Sequence, residues 1–283
     1  MSGFAPSRFD GLPAPRRRWP WWAAGLAVGA LLALVVKAPA SWLAAAVASA
    51  TQHRVLLADA RGSVWSGNAV LVLSGGPGSR DASALPGRLR WTLGLSREQR
   101  TRPELRLRHA CCIGDQLRLQ IQPGWGGLKV FVPPGKAELL HWPAAWLAGL
   151  GAPFNTVQLG GTLRLLGDGF SVETVAGRWR VGGQAELELL DLSSALAPVP
   201  SLGQFRLVVT GGDATGGTTS EGARLQLQTL RGPLQLSGSG QWVGPKLRFR
   251  GEATAEPGSE PLLNNLLNLL GQRRGAVTLL AIG

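Results

Sequence analysis

The sequence predicts a mainly β protein: one apolar N-terminal transmembrane helix, then an extended, curved antiparallel sheet (a meander or half-barrel) with two or three short helices. Three observations predict it. Beyond residue 53, apolar residues recur at every second position in short runs, the period of a strand with one buried face. Glycine (40 residues) and proline (19) fall between these runs and punctuate them as turns. An N-terminal stretch, residues 19–36, runs eighteen positions without a charge and is apolar almost throughout.

That stretch, WPWWAAGLAVGALLALVV, would reach about 27 Å as a helix, against a hydrocarbon core of about 30 Å. Arg16, Arg17 and Arg18 precede it, and a basic cluster in that position stays on the cytoplasmic side. Trp19, Trp21 and Trp22 stand where an aromatic belt would lie, and Val36 ends the span. A cleaved signal peptide is the competing reading, with Ala38-Pro39-Ala40 as its cleavage site. The apolar run exceeds the roughly 7–15 residues of such a peptide, and prolines sit early in the run and inside the site. An uncleaved signal-anchor fits better. The organisation expected is residues 1–18 as a disordered basic cytoplasmic tail and 19–36 as the anchor. Residues 37–52 then form a helical stalk, and 53–283 a β-domain on the periplasmic side of the inner membrane.

The elements follow in order. Residues 39–51 (PASWLAAAVASAT) read as an alanine-rich helix with proline at its start, the stalk. Val55, Leu56 and Leu57 begin a strand, residues 62–67 (GSVWSG) turn a hairpin, and 69–73 return. Leu89, Trp91, Leu93 and Leu95 share one face, with Arg88, Arg90 and Thr92 on the other. Leu105, Leu107, His109, Cys111 and Ile113 continue the inward face opposite Arg106 and Arg108, and Leu117, Leu119 and Ile121 follow at the same period. Alternation of this kind marks antiparallel strands wetted on one side.

Residues 142–151 (WPAAWLAGLG) suit a two-turn helix between proline and glycine. Strands resume at 161–165, 170–174, 177–181 and 185–190, then at 205–209, 225–227, 234–236 and 247–249. Glycine pairs five or six positions apart (Gly62/Gly67, Gly177/Gly183, Gly232/Gly238) fit strand-turn-strand units of one meandering sheet. Leu262, Leu263, Leu266, Leu267 and Leu270 form a helical stripe opposite Asn264, Asn265 and Asn268, with Ser259 to cap it and Gly271 to end it. Such a stripe makes a lid across the end of the sheet or, as the alternative, a surface that docks a partner. A strand over 276–282 closes the chain. Strand count alone does not separate a sandwich, a barrel and a half-barrel.

Net charge is +12. Between Arg80 and Arg108 eight arginines stand against three acids. Arg88, Arg90, Arg106 and Arg108 are the candidate partner surface, attracting an acidic protein or anionic head groups. The plainer reading is a solvated face whose arginine stems cover apolar surface. No nucleic-acid partner is expected, because no groove-reading motif accompanies the charge. Cys111 and Cys112 are adjacent: they could close a vicinal disulfide, pair with another chain, or point as free thiols to opposite faces of a strand. No second cysteine pair exists, so no metal ligand set is expected.

His53, His109 and His141 show no nucleophile at a recognised spacing, and neither a hydrolase elbow nor a phosphate loop is present. His109 could activate a nearby thiolate, though among leucines it reads as a core residue. No enzyme activity and no cofactor are expected. Trp65, Trp91, Trp179 and Trp242 fall on strands as core or groove lining.

Basic tail, anchor and Pro39-Ala40-Ser41-Trp42-Leu43 are followed by LADARGSVWSGNAVLVL (57–73), LPGRLRWTL (85–93), HACC (109–112), WPAAWLAGLGAPFNTVQLGGTLRL (142–165) and the leucine-asparagine helix. In this order the chain resembles the type II secretion system protein N family (general secretion pathway protein N) of Gram-negative bacteria. The resemblance implies a bitopic, non-enzymatic inner-membrane accessory protein. Its expected partners are the inner membrane and other components of a machine that exports folded proteins, and its expected role is to scaffold or stabilise them. It supplies no catalytic residues. A membrane-anchored β-groove that binds or transfers lipid is the alternative, which requires an apolar face left uncovered; no other small-molecule substrate is expected.

Overall fold

The computed structural model describes residues 21–95, 102–124, 127–132, 137–175, 178–211, 222–243 and 246–283. The chain forms two compact units, Met1–Ala38 and Pro39–Gly283. The first contains α1 (Trp21–Val36), sixteen residues without a charge, about 24 Å long at 1.5 Å per residue. Leu26, Val28, Leu31, Leu32, Leu34 and Val36 are all exposed, and at helical spacing they cover its whole circumference. No described helix is long and apolar enough to cross a membrane. The span over 19–36 therefore stays an expectation, and Arg16, Arg17, Arg18, Trp19 and the 1–18 tail lie outside the described residues.

The second unit begins with α2 (Ala40–Ala50) and continues through β1 (Val55–Gly62), β2 (Ser66–Ser74), β3 (Ala82–Ala84), β4 (Leu89–Leu95), β5 (Pro103–Arg108), β6 (Leu117–Gly124) and β7 (Gly127–Phe131). Next come β8 (Ala137–Pro143), a 3-10 helix (Ala144–Leu150), α3 (Phe154–Val157), and two seventeen-residue strands, β9 (Leu159–Val175) and β10 (Arg178–Ser194). The chain ends with β11 (Gly203–Thr210), β12 (Arg224–Arg231), β13 (Leu234–Val243), β14 (Lys246–Ala255), α4 (Glu260–Leu270), β15 (Gln272–Arg274) and β16 (Val277–Ile282).

Among the described residues the sixteen strands form one sheet, ordered β1-β2-β4-β5-β6-β7-β9-β10-β11-β12-β13-β14-β16-β15. Its pairings are antiparallel and mostly between sequence neighbours, the meander that alternation and glycine spacing predict. β3 pairs with β2 off this path, and β8 shares the long edge of β9 with β7. β1 and β15 end the order without pairing to each other, so the sheet is open.

Alternation sets what lies beneath. On β12, β13 and β14 every second residue is exposed: Gln226 and Gln228, then Ser237 and Ser239, then Arg248, Arg250 and Glu252. Their neighbours Leu225, Leu234, Phe249 and Ala253 are buried. The largest buried cluster joins Leu163, Leu192, Leu202, Phe205, Leu234 and Ala253 to Leu263, Leu266 and Leu267 of α4. Burying each such leucine contributes about 1.5–3 kcal/mol, enough to hold an eleven-residue helix that would be marginal alone. The lid is thus in place, though its stripe is narrower than the sequence suggests: Leu262 and Leu270 stay exposed. Ser259 makes no side-chain cap; Glu260 accepts the Gly258 N–H instead, at 2.8 Å.

Several expectations need correction. The helix expected within residues 37–52 is present as α2, and it folds onto the sheet. Ala40 is buried with Ala69 and Trp91, Leu43 packs beside them, and Pro39 bridges to Ser63; alanines let the helix lie close to the strands. The two-turn helix expected over residues 142–151 is present but shorter and of another type, Ala144–Leu150. Trp142 and Pro143 finish β8, and the helix that follows is 3-10, its Trp146 indole donating to the Ser83 carbonyl at 3.0 Å. At Gly149 the helix touches backbone, where a Cβ would stand 2.5 Å from the Leu73 oxygen. Trp142 and Trp146 meet edge to face with centroids 6.5 Å apart, fixing this corner.

Four short helical segments follow α1 where two or three were expected. The pairs of short strands at 161–174 and 177–190 are single long strands, bent where register shifts beside Gly182 and Leu190. Bulges keep such strands continuous while turning them. Trp65 lies in the hairpin turn, not on a strand, and is exposed.

Trp91 explains the GSVWSG turn. It lies opposite Gly67, where a Cβ would stand 2.5 Å from the indole, and its Nε1 donates to the carbonyls of Ser63 and Val64 at 3.2 and 3.1 Å. One ring thus closes the turn and fills the cluster beneath α2. Trp91→Ala in the full-length protein should lower the unfolding free energy by about 3–5 kcal/mol, read from the urea midpoint by circular dichroism. A change within about 0.5 kcal/mol, the range of surface substitutions, would contradict this packing.

Candidate interaction surface and the cysteine turn

The polar face of the central strands carries a chain of ion pairs that cross-strand register dictates. Glu188 on β10 lies directly opposite Arg164 on β9 and Arg206 on β11. Arg164 Nε donates to Glu188 Oε2 at 2.9 Å, and Arg206 Nη2 to Oε1 at 3.1 Å. Arg206 Nε also pairs with Glu186, two residues along the same face. Glu138 on β8 extends the chain, 4.0 Å from Arg164 on one oxygen and 2.8 Å from His141 Nδ1 on the other. Glu186 and Glu188 are each only 6% exposed although they lie on the polar face. The arginine stems cover them. Hydrogen bonding from Arg164 holds the Glu188 carboxyl below its ordinary pKa against the opposing effect of burial.

The candidate partner arginines divide into two groups. Arg88 is committed internally: it donates to Asn68 Oδ1 and bonds Asp59 through Nη1 at 2.8 Å and Nη2 at 2.6 Å. Asp59 has φ of 47°, at the bulge that shifts the β1–β2 register, and Arg88, followed by Arg61, lowers its pKa. Arg106 is matched by Glu104 at 2.6 Å. Arg90 and Arg108 are different. They are exposed and sit directly opposite each other, and Arg118 on β6 is exposed opposite Arg106. Like charges opposed across strands destabilise a sheet. Among the described residues Arg108 bonds only the neutral Gln116, at 3.2 Å, and no ion pair joins Arg90 or Arg118 to another of them. Arg90, Arg108 and Arg118 thus form an uncompensated cationic patch on one face.

The expected strand through residues 109–113 is instead a turn. β5 ends at Arg108, and the N–H groups of Cys112 and Ile113 point back to the His109 carbonyl at 3.4 and 3.3 Å. The cysteines therefore do not alternate across a strand. Their sulfurs are in bonding contact as a vicinal disulfide. His109 Nδ1 accepts the Cys111 N–H at 3.3 Å, while Nε2 is buried without a hydrogen-bond partner. Burial pushes the His109 pKa down, favouring the neutral ring. One atom from each of His109, Cys111 and Cys112 falls within 4.8 Å of the others. The sequence showed no metal-ligand spacing, and no chain periodicity signals a cluster made by a turn.

The polar face is therefore a framework of paired charges beside one unpaired arginine patch. The family model for type II secretion system protein N matches residues 53–279. The chain belongs to the type II secretion system protein N family. No curated protein and no solved structure matches it. The matched segment opens just before β1 and ends within β16, so it takes in the sheet and leaves out α1 and α2. Protein N is an accessory component of type II secretion, and the ion-pair clamp, the arginine patch and the cysteine turn all lie inside the matched segment.

Replacing Glu188 by Gln leaves two arginines facing a neutral amide. At neutral pH this should cost about 2 kcal/mol of stability. The depressed carboxyl contributes stability above its unfolded pKa of about 4.3 and loses it as pH falls through the lower folded value. The gap between wild type and Glu188→Gln should therefore narrow in urea titrations taken down to about pH 3. A gap that stays constant or widens would show that Glu188 is not the group that titrates.

Proposed function

We propose that this protein is a non-enzymatic accessory of the type II secretion apparatus, tethered to the inner membrane, that stabilises inner-membrane and periplasmic components by docking an acidic partner surface. The observation that carries the docking site is the opposed, exposed pair Arg90 and Arg108 with Arg118 beside it. A sheet tolerates that repulsion most readily when a partner's carboxylates relieve it. Membership of the protein N family supports a partner within the secretion machinery. The membrane reading rests on the arginine cluster at residues 16–18 and on the apolar circumference of α1. It places a short N-terminus in the cytoplasm and the sheet in the periplasm. Catalysis finds no support on the polar face, where Glu186 and Glu188 are bound to arginines.

The lipid-groove alternative needs an apolar face without a covering layer. What weighs against it is α4, whose Leu263, Leu266 and Leu267 bury Phe205, Leu234 and Ala253 in the middle of that face.

The test is the triple charge reversal Arg90→Glu, Arg108→Glu, Arg118→Glu in the full-length protein, produced in cells that carry the secretion system. Co-purification of other secretion components should fall by about tenfold or more, as lost steering and paired charge both act at the same patch. The thermal midpoint should stay within a few degrees. Wild-type capture and wild-type export with the triple variant would refute the docking site.

A further inference from the structure

The cysteine turn is not absorbed by the secretion role. A disulfide between residues adjacent in sequence closes no chain loop, so it lacks the unfolded-state constraint through which ordinary disulfides stabilise a fold. Its use is local. The local surroundings are a histidine only 4% exposed with an unpartnered Nε2, a buried Cys112 and a half-buried Cys111. His109 is held in place: Cys111 N–H bonds its Nδ1, its carbonyl takes two turn N–H groups, and Gly87 lies against Cε1, leaving 3.3 Å to a Cβ built there.

From this we infer that the turn is a redox-gated metal site. In the dithiol state Cys111, Cys112 and His109 bind one thiophilic d10 cation, and the vicinal disulfide is the closed, metal-free state. The donor set of two thiolates and an imidazole is that of zinc and related soft cations, with room for a fourth, external ligand. Ligand atoms about 2.0–2.3 Å from a shared tetrahedral ion stand roughly 3.3–3.8 Å apart. A spread within 4.8 Å is one side-chain rotation from that once the sulfurs separate.

Opening is thiol–disulfide exchange with an external protein dithiol. Its thiolate attacks Sγ of the more accessible Cys111; the Cys111–Cys112 bond breaks, and Cys112 leaves as a thiolate that takes up a proton. The second thiol of the donor resolves the mixed disulfide. The donor is oxidised by two electrons, and the turn gains two thiols. Metal binding then releases the two thiol protons, and the imidazole proton, kept on Nε2 while Nδ1 accepts the Cys111 N–H, moves to Nδ1 as that bond gives way and Nε2 takes the metal. The Cys112 carbonyl accepts the His141 N–H of β8 at 2.9 Å, so the state of the turn reaches the strand that carries Glu138.

The experiment compares one chain in two redox states. Full-length protein in detergent is reduced with a phosphine, or left oxidised, then equilibrated with Zn²⁺ and dialysed, and retained metal is counted by mass spectrometry. The reduced chain should hold about one equivalent and the oxidised chain about none. Cys111→Ser/Cys112→Ser should abolish retention, and His109→Ala should weaken it by about tenfold or more. Circular dichroism midpoints identify any variant that fails to fold, and the redox comparison needs no substitution. Equal retention in both states, no retention in the reduced state, or retention unchanged in a folded His109→Ala chain would overturn the site.

Discussion

The carboxylate of Glu188, held between Arg164 and Arg206, is the interaction on which the rest of the sheet depends. Those three residues sit side by side on β9, β10 and β11, the strands at the centre of the order. A register slip of one residue would carry Glu188 to the leucine face and Leu187 to water. The buried leucine face already disfavours such a slip, because it would be carried to water. A buried carboxylate bound from both sides reinforces that register from the polar face. The hydrophobic cluster under α4 needs this register, because Leu163 and Phe205 stand in it one residue along from the clamp's Arg164 and Arg206.

An open sheet leaves strand edges, and this one covers part of what it exposes. α2 packs beside β1 through Ala40 and Leu43, and the 3-10 helix lies on β2 and β3 through Trp146 and Gly149. Both helical segments cover the β1–β3 end, as α4 covers the cluster further along the sheet. Edge strands otherwise invite pairing with other chains. On the polar face of β4, β5 and β6, Arg90, Arg108 and Arg118 meet no carboxylate among the described residues, whereas Arg106 meets Glu104.

Strand positions were legible wherever leucine and arginine alternate, as in Leu89 to Leu95 and Leu225 to Leu227, because period-2 burial needs only chain-local information. The hairpin at Gly62–Gly67 was legible for the same reason, and so was α4, whose leucines repeat at helical spacing. What was not legible depends on contacts between distant segments. Nothing near Pro39 announces that α2 docks on Ala69 and Trp91. Nothing beside Glu188 in the chain announces its burial, because the arginines that cover it come from strands some twenty residues away. The turn at 109–113 has the sequence pattern of a strand because His109, Cys111 and Ile113 mimic period 2, and its backbone bonds to the His109 carbonyl leave no mark in composition. Candidate arginines looked equivalent along the chain; only register separates committed Arg88 and Arg106 from uncompensated Arg90 and Arg108.

Membership of the protein N family and a cationic patch on a register-locked sheet meet in one claim, that the β4–β6 face is where a secretion partner docks. Photo-cross-linking in living cells tests it most directly. A cross-linking amino acid at Thr92, exposed on the arginine face between Arg90 and Arg106, is compared with one at Ser239, exposed on the same side of the distant β13. The account predicts an adduct with another secretion component from Thr92 and none from Ser239. No protein adduct at Thr92, or equal adducts from both positions, would contradict it.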